Sequence, residues 1–438
     1  MDLEITPLTK SLDGEIVAPG SKSYSHRAFI AASLAEGISI IKNPLVSGDA
    51  GVTIEILRSV GVKILKVDGN SYVVENIDRS FKKINKTLDC KNSGTSARIF
   101  SAISLLLEDG LSLTGDFFTL KRPILPLLDA LKSLGAEYEY KEEKLHIKPT
   151  EILCEKIKIP GDITSQFITA LLIVCPLLKC KKRDYIEIEV TTPIVSVPYI
   201  KITLDVLNSF GINIQEDFIN RKFFITTDQN YRAQVYDIPG DFSAAAFIIA
   251  AVVLTKKSSK VIINNLSMEN NQGDKYIIEI LHNMGAHIEI DESEKQVIIY
   301  GDLNKYPLQG IEIDCSDTPD LFPILSVIGA FAKGKTVLYN IGRLKLKESD
   351  RSSTMVRELT KMGVRVLEEQ DKLTIYHCDN LNGVTFNHER DHRVAMACTI
   401  AALFASTDSV IKDIDIVKDS YPTFLEDLEK IGIPINFL

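Results

Sequence analysis

The sequence predicts a mixed α/β (α+β) fold of six repeats grouped into two domains, and three observations carry that expectation. Six helix-like stretches each end in a glycine and run into a strand: ILRSVGVKI, ALKSLGAEY, VLNSFGINI, ILHNMGAHI, ELTKMGVRV and DLEKIGIPI. Their glycines, Gly61, Gly135, Gly211, Gly285, Gly363 and Gly432, stand 69 to 78 residues apart. Each stretch has a front half of one kind, and the last repeat lacks a closing strand that the first residues of the chain could supply. A near-constant period of this length marks one supersecondary unit repeated.

The elements of the unit follow in order. A short β-branched strand leads, as in GEIV or KIKI. A small, polar turn comes next, then an apolar helix rich in Ala and Ile, as in QFITALLIV or FSAAAFIIAAVV. A second strand follows, then the glycine-terminated back helix and a pair of strands. A glycine just past a 3.6-period apolar pattern reads as a left-handed cap that turns the helix back into a strand. The unit is therefore strand, helix, strand, helix, strand, strand.

The sixth unit stops at GIPINFL, and DLEITP at the start resembles the closing strands LHIKPT and FFITT. The expected layout is an inserted domain over residues 13–233, holding three repeats, within a second domain of residues 1–12 and 234–438, holding the other three. A chain of 438 residues suits two cores better than one. Two chain crossings join them, as a hinge requires.

Composition narrows the class of protein. With 45% hydrophobic and 25% charged residues the chain is ordinary globular material. No apolar run is long enough for a bilayer span, and residues 1–12 lack a basic-then-apolar leader, so a cytoplasmic location and no membrane partner are expected. Seven cysteines without C-x-x-C argue against a disulfide framework and a zinc site, and Cys90, Cys154, Cys175 and Cys315 read as buried thiols. A net charge of −9 disfavours nucleic acid. It leaves anionic substrates open, because screening over roughly 8 Å makes the local charge decisive.

Two motifs mislead until the repeats are aligned. His388-Glu389-Arg390-Asp391-His392 spells H-E-x-x-H, but the strand ends at Phe386 and the helix starts near Asp391, so the histidines straddle a turn. Gly329 to Thr336 spells a phosphate loop, but it runs from helix into strand, the wrong direction for one.

Alignment of the front helices places Arg27, Arg98, Gln166, Ala245, Asp320 and Arg393 at equivalent positions. A helix N-terminus carrying an arginine suits phosphate or carboxylate. The loops before the back helices add Asp49, Lys121, Arg122, Ser196, Tyr199, Asp274, the run from Lys345 to Arg351, and Lys418. The residues alone point to an enzyme that clamps small anions, with Asp320 and Glu348 as proton-transfer candidates. A non-catalytic anion-binding scaffold is the contrasting class; it would not need those two acids beside the cations.

PGSKSYSHRA (19–28), NSGTSAR (92–98), KRP (121–123), TSQF (164–167), SVPY (196–199), DTPD (317–320), LKESDR (346–351) and DHRVAM (391–396) are similar, in order along the chain, to signature stretches of the 5-enolpyruvylshikimate-3-phosphate synthases. The resemblance implies the enolpyruvyl transferase fold, two domains of three βαβαββ units about a pseudo-threefold axis. It implies transfer of the carboxyvinyl group of phosphoenolpyruvate to the 5-hydroxyl of shikimate 3-phosphate, in the shikimate pathway of aromatic amino-acid biosynthesis. No cofactor or metal, a monomer, and substrates that draw the domains together are also implied.

By the same resemblance Lys22, Ser23, Arg27, Thr164, Ser165, Gln166, Ser196, Tyr199, Asp320 and Lys347 correspond to the shikimate 3-phosphate site. Lys22, Asn92, Gly94, Arg122, Gln166, Arg351, Arg393 and Lys418 correspond to the phosphoenolpyruvate site. Asp320 corresponds to the base at the 5-hydroxyl, and Glu348 with Lys22 to the pair that gives and reclaims the methyl proton. The chain departs from the pattern at Arg343, where many members have asparagine, and at Lys418, one place from the usual lysine. Glyphosate is expected to compete with phosphoenolpyruvate, with the Ser93 hydroxyl crowding the small site. The sister transferase acting on UDP-N-acetylglucosamine is the alternative, but the loop DGLSLTGDFFTLKRP lacks the cysteine that enzyme carries. RNA 3′-phosphate cyclase uses related repeats but needs a nucleotide site not evident here.

Overall fold

The computed structural model describes residues 1–77, 81–82, 86–154, 156–180 and 183–438. The chain divides into two compact units, one of Met1–Pro19 with Pro239–Leu438, the other of Gly20–Ile238. In the second unit lie helices α1 (Lys22–Leu34), α2 (Gly48–Ser59), α3 (Gly94–Ile103), α4 (Asp116–Thr119), α5 (Leu125–Ser133), α6 (Ser165–Val174) and α7 (Val197–Ser209). The first unit holds α8 (Phe242–Val253), α9 (Tyr276–Met284), α10 (Phe322–Phe331), α11 (Arg351–Lys361), α12 (His392–Ala402) and α13 (Phe424–Lys430).

The strands of the described residues form six four-stranded sheets with one repeated order. In the third repeat the lead strand Ile157–Ile159 runs parallel to Tyr185–Val190, which pairs antiparallel with Lys222–Thr226, which pairs antiparallel with Gln215–Asp217. The parallel step spans a crossover helix, and the antiparallel step is a hairpin.

All six repeat glycines have positive φ, between +83° and +105°. Five of them end their helices with the paired bonds of a Schellman turn, for example Gly363 N–H to Thr360 O at 3.0 Å and Val364 N–H to Leu359 O at 3.0 Å. A side chain in that conformation would be strained, which is why glycine recurs there.

The unit boundaries fall later than 13 and 233. Asp13–Val17 pairs parallel with Ser259–Asn264, in the sheet of the fourth repeat. Val235–Asp237 pairs parallel with Gly37–Lys42, in the sheet of the first. The lead strands of repeats one and four have thus changed places, and each chain crossing lies after the strand rather than before it. Leu3–Ile5 sits between Ser409–Ile411 and Asn436–Phe437, antiparallel to both.

Front and back helices differ in burial. Every residue of α8 and of α10 is buried, as is every residue of α12. These three helices touch one another in the middle of their unit, as apolar-all-round helices must. Back helices bury one face, as in α9, where Ile277, Ile278, Ile280, Leu281 and Met284 are inside. Packing α8, α10 and α12 together also brings their N-terminal turns together.

One cysteine expectation fails. Cys154 and Cys180 form a disulfide, with Cα atoms 5.7 Å apart, although they are 26 residues apart in sequence. Folding lays the loop after Lys144–Pro149 beside the segment after Cys175–Leu177. Cys90, Cys175, Cys315 and Cys398 are buried free thiols.

Candidate active site

In the unit of Gly20–Ile238 the candidate cations make several bonds to neutral groups. Arg27, in the second turn of α1, donates from Nε to Thr203 Oγ1 at 2.8 Å, from Nη1 to Ser23 O at 2.8 Å, and from Nη2 to Tyr199 O at 3.2 Å. Burial, opposed by the nearby Tyr199 and Tyr24, brings its guanidinium down to about 10. Arg122 follows Lys121, whose φ of 52° makes the tight turn that carries Arg122 inward. Its Nη1 donates to Asn92 O at 2.6 Å and to Asn92 Oδ1 at 3.0 Å. Lys22 starts α1, and its ammonium lies 3.3 Å from Asp49 Oδ2.

Gly94 opens α3 and Ser93 caps it, its hydroxyl accepting from Ser96 N–H at 3.2 Å. A methyl group on Gly94 would come within 2.7 Å of Arg98 Nη1, 3.2 Å of Arg122 Nη2 and 3.3 Å of Gln166 Oε1, so the absent side chain is what lets these groups approach the helix end. Ser93 Oγ also lies 2.9 Å from Ser96 Oγ, which is 2.8 Å from Thr53 Oγ1, itself 2.7 Å from His26 Nδ1. The serine hydroxyl is thus part of a buried hydrogen-bond chain that ends at His26. Burial, with Lys22 and Arg27 nearby, holds the His26 imidazole well below its usual range, so it is neutral.

Thr164 caps α6, and Ser165 and Gln166 are its first two residues. Gln166 Oε1 accepts from Arg98 Nη1 and its Nε2 donates to Thr95 Oγ1 at 3.1 Å. Arg98 also donates to Pro123 O and lies over the rings of Phe117 and Phe167, at 4.9 and 5.4 Å. Ser196, buried at the start of α7, has φ 55° and ψ 41°. A non-glycine residue in that region stores strain of about 1–3 kcal/mol and marks a position the surroundings enforce. Tyr199, one turn into α7, is half-buried.

In the unit of Met1–Pro19 and Pro239–Leu438 the cations meet carboxylates. Arg351, 1% exposed, donates from Nη1 to Asp320 Oδ1 at 2.7 Å, from Nη2 to Glu348 Oε2 at 2.9 Å, and from Nε to Asp391 Oδ2 at 2.8 Å. Arg393, also buried, has Nη2 3.0 Å from Asp320 Oδ2. Lys347 Nζ is 3.9 Å from Asp320 Oδ1. Burial brings the Lys347 ammonium down to about 8 against the pull of Asp320. Its side chain is still 27% exposed, and the solvent that reaches it works against that shift. Burial alone would raise the Asp391 carboxyl, but Arg351 above all holds it below the ordinary range. Asp391 also caps α12, accepting from Arg393 N–H at 2.9 Å and Val394 N–H at 3.4 Å.

The equivalent positions of the front helices turn out spread over two turns. Gln166 and Arg393 are second residues, Arg98 is a fifth and Arg27 a sixth, while Asp320 precedes α10. Arg343, where asparagine was expected, donates to the carbonyls of Ser316 and Cys315 and so braces the turn leading to Asp320. Lys418 is 54% exposed and pairs with Asp415 at 2.7 Å, unlike the buried Arg351 and Arg393. His388 lies on the turn before α12, its Nε2 2.6 Å from Lys412 O.

Residues 7–428 match the family described as EPSP synthase (3-phosphoshikimate 1-carboxyvinyltransferase). The chain belongs to the EPSP synthase family. A 3-phosphoshikimate 1-carboxyvinyltransferase of Methanococcus aeolicus is 41% identical over 437 residues, covering 98% of each chain. One of Methanocaldococcus jannaschii is 41% identical over 442 residues, covering all of both. Among solved structures, EPSP synthase from Acinetobacter baumannii is 24% identical with a TM-score of 0.81, over 99% of each chain. The enolpyruvyl transferase NikO from Streptomyces tendae is 16% identical with a TM-score of 0.79, over 99% of this chain and 98% of that one. These two likenesses show the fold.

Arg98 and Asp391 also contact the candidate groups of this family member, and Asp274 lies buried near Asp320 and Arg393. Alignment of the repeats had flagged Arg98, and its place among Gln166, Gly94 and Pro123 was the missing link. Asp391 was read as a helix start. Its second oxygen, which accepts from Arg351 and from Ser349 Oγ at 3.2 Å, is visible only in three dimensions.

Proposed function

We propose that this chain catalyses transfer of the carboxyvinyl group of phosphoenolpyruvate to the 5-hydroxyl of shikimate 3-phosphate, releasing phosphate. The observation that carries the reading is the placing of Asp320, Glu348 and Asp391 around buried Arg351 in a chain of this family. Acids able to move protons there lie against cations suited to anions.

In this reading Arg27, Ser165, Ser196, Tyr199 and Lys347 hold shikimate 3-phosphate, with Lys22, Ser23, Thr164 and Gln166. Arg122, Arg351 and Arg393, with Asn92 and Gly94, take the carboxylate and phosphate of phosphoenolpyruvate, which guanidinium forks match in pairs. Asp320 accepts the 5-hydroxyl proton as that oxygen bonds to C2, while Glu348 and Lys22 deliver a proton to C3. The resulting tetrahedral intermediate returns the C3 proton and expels phosphate, which leaves the enol ether. Lys418 contributes a contact to phosphoenolpyruvate only by leaving its pair with Asp415.

In this reading the enzyme works as a monomer. Its substrates are phosphorylated anions, the chemistry of the cytoplasm. Among the described residues no helix is long and apolar enough to cross a membrane.

The test is phosphate release from phosphoenolpyruvate with either shikimate 3-phosphate or UDP-N-acetylglucosamine as acceptor. Release with shikimate 3-phosphate alone is expected. Release with UDP-N-acetylglucosamine alone, or with neither, overturns the reading.

A further inference from the structure

Asp274 lies in the short turn Gly273–Lys275 ahead of α9 and is 2% exposed. Ser243 Oγ, in the first turn of α8, donates to its Oδ2. Its other oxygen, Oδ1, is buried with no hydrogen-bond partner among the described residues. An ionised carboxylate so placed lacks the bonds that make a buried charge tolerable.

The groups that face it come from every neighbouring element. Asp241 caps α8, Asp320 precedes α10, and Arg393 stands in α12. The buried Cys315 thiol also feels its charge. Lys275, in the same turn, donates to Met268 O at 2.5 Å and Asn270 O at 2.6 Å. Arg393 is bonded to Asp320, and Arg351 to Asp320, Glu348 and Asp391. Asp274 is hydrogen-bonded to neither of these guanidiniums, its one bond being that from Ser243. Burial first, and the charge of Asp320 second, push its carboxyl up to about 7.

We propose that Asp274 is a positioning residue that adjusts the charge of the site, taking a proton from solvent onto its buried carboxyl when an anionic substrate settles on Arg393 and returning it when the anion leaves. The inference rests on Arg393 belonging to the phosphoenolpyruvate site. Neutral Asp274 leaves the Arg393 guanidinium to Asp320 and the substrate. Ionised Asp274 competes for that guanidinium and adds a negative charge beside an anion. Linkage gives the sign: bringing up a further negative charge raises the affinity of Asp274 for its proton, so binding takes up protons near neutral pH.

The direct test is calorimetric titration of the full-length enzyme with phosphoenolpyruvate at pH 7 in two buffers of different ionisation enthalpy. Wild type is expected to take up about half a proton more than Asp274→Asn, as follows for a group half-ionised at that pH. Equal proton counts overturn the proposal. An absence of any phosphoenolpyruvate binding to wild type overturns instead the reading of the site on which it rests. The second test follows KM for phosphoenolpyruvate from pH 6 to 9. Wild type should show KM rising through about pH 7, and Asp274→Asn should lose that step. Ser243→Ala should move it to higher pH, because it removes a bond that favours the ionised acid. A step that stays in place in both variants rules out Asp274 as its source.

Discussion

The two units hold buried arginines by opposite means. In Gly20–Ile238, Arg27 donates to the Thr203 hydroxyl and the Ser23 carbonyl, and Arg122 donates to the carbonyl and the side-chain amide oxygen of Asn92, all of them neutral acceptors. In the other unit Arg351 meets three carboxylates and Arg393 meets one. A repeated architecture has thus set neutral acceptors against Arg27 and Arg122 in one unit and carboxylates against Arg351 and Arg393 in the other. Neutral partners suit binding of an anion; acidic partners suit chemistry on it.

The contrast is broken most severely at Arg351. Arg351→Leu leaves Asp391 and its neighbours buried without their cation and should lower unfolding free energy by about 3–5 kcal/mol, measured by denaturant titration. Little change would mean that the three carboxylates do not depend on it. Glu348→Gln keeps size but cannot carry a proton, so turnover should fall on the order of 10²-fold or more, with KM moving little. Steady-state kinetics decide between that and a binding role.

Arg122→Ala sharpens the comparison from the other side. Its bonds to Asn92 end on neutral oxygens that can be left with modest harm, so the variant should stay folded while KM for phosphoenolpyruvate rises roughly 10- to 100-fold, as for loss of a charge-assisted contact. A large stability loss with unchanged KM would erase the distinction between the units.

Lys347 gives a gentler, pH-dependent effect. With its ammonium brought down to about 8, positive charge is lost as pH rises through that value, so KM for shikimate 3-phosphate should climb above pH 8. Lys347→Arg should keep KM flat there, since guanidinium holds its proton. Smallest of all, His388→Ala should leave kcat within about twofold, because the ring serves the Lys412 carbonyl. Loss of activity with a chelator, restored by zinc, would contradict it.

What could be read in the chain divides along physical lines. Glycines with positive φ and helices apolar all round announce themselves, so the six repeats and their elements were legible. The exchange of lead strands was not: GEIV and QVYDI each fit either sheet, and pairing partners more than two hundred residues apart leave no local trace. The disulfide between Cys154 and Cys180 joins residues that share no motif. Arg27, Arg122, Arg351 and Arg393 stood out by recurrence. Asp274 was visible only as one loop charge among several, because what distinguishes it is burial beside other acids.

The exchanged strands also bear on the order in which the protein is made. The sheet of the first repeat needs Val235–Asp237, so the unit of Gly20–Ile238 has all its strands once Ile238 has left the ribosome. Asp13–Val17, synthesised long before, finds its place only when Ser259–Asn264 emerges, and Leu3–Ile5 waits for Ser409–Ile411 and Asn436–Phe437. During translation the inserted unit is therefore the first able to fold, with the opening nineteen residues trailing from it as an unpaired tail. A nascent chain arrested far enough past Ile238 for that residue to clear the exit tunnel should already resist protease from Gly20 onward and yield at its first residues.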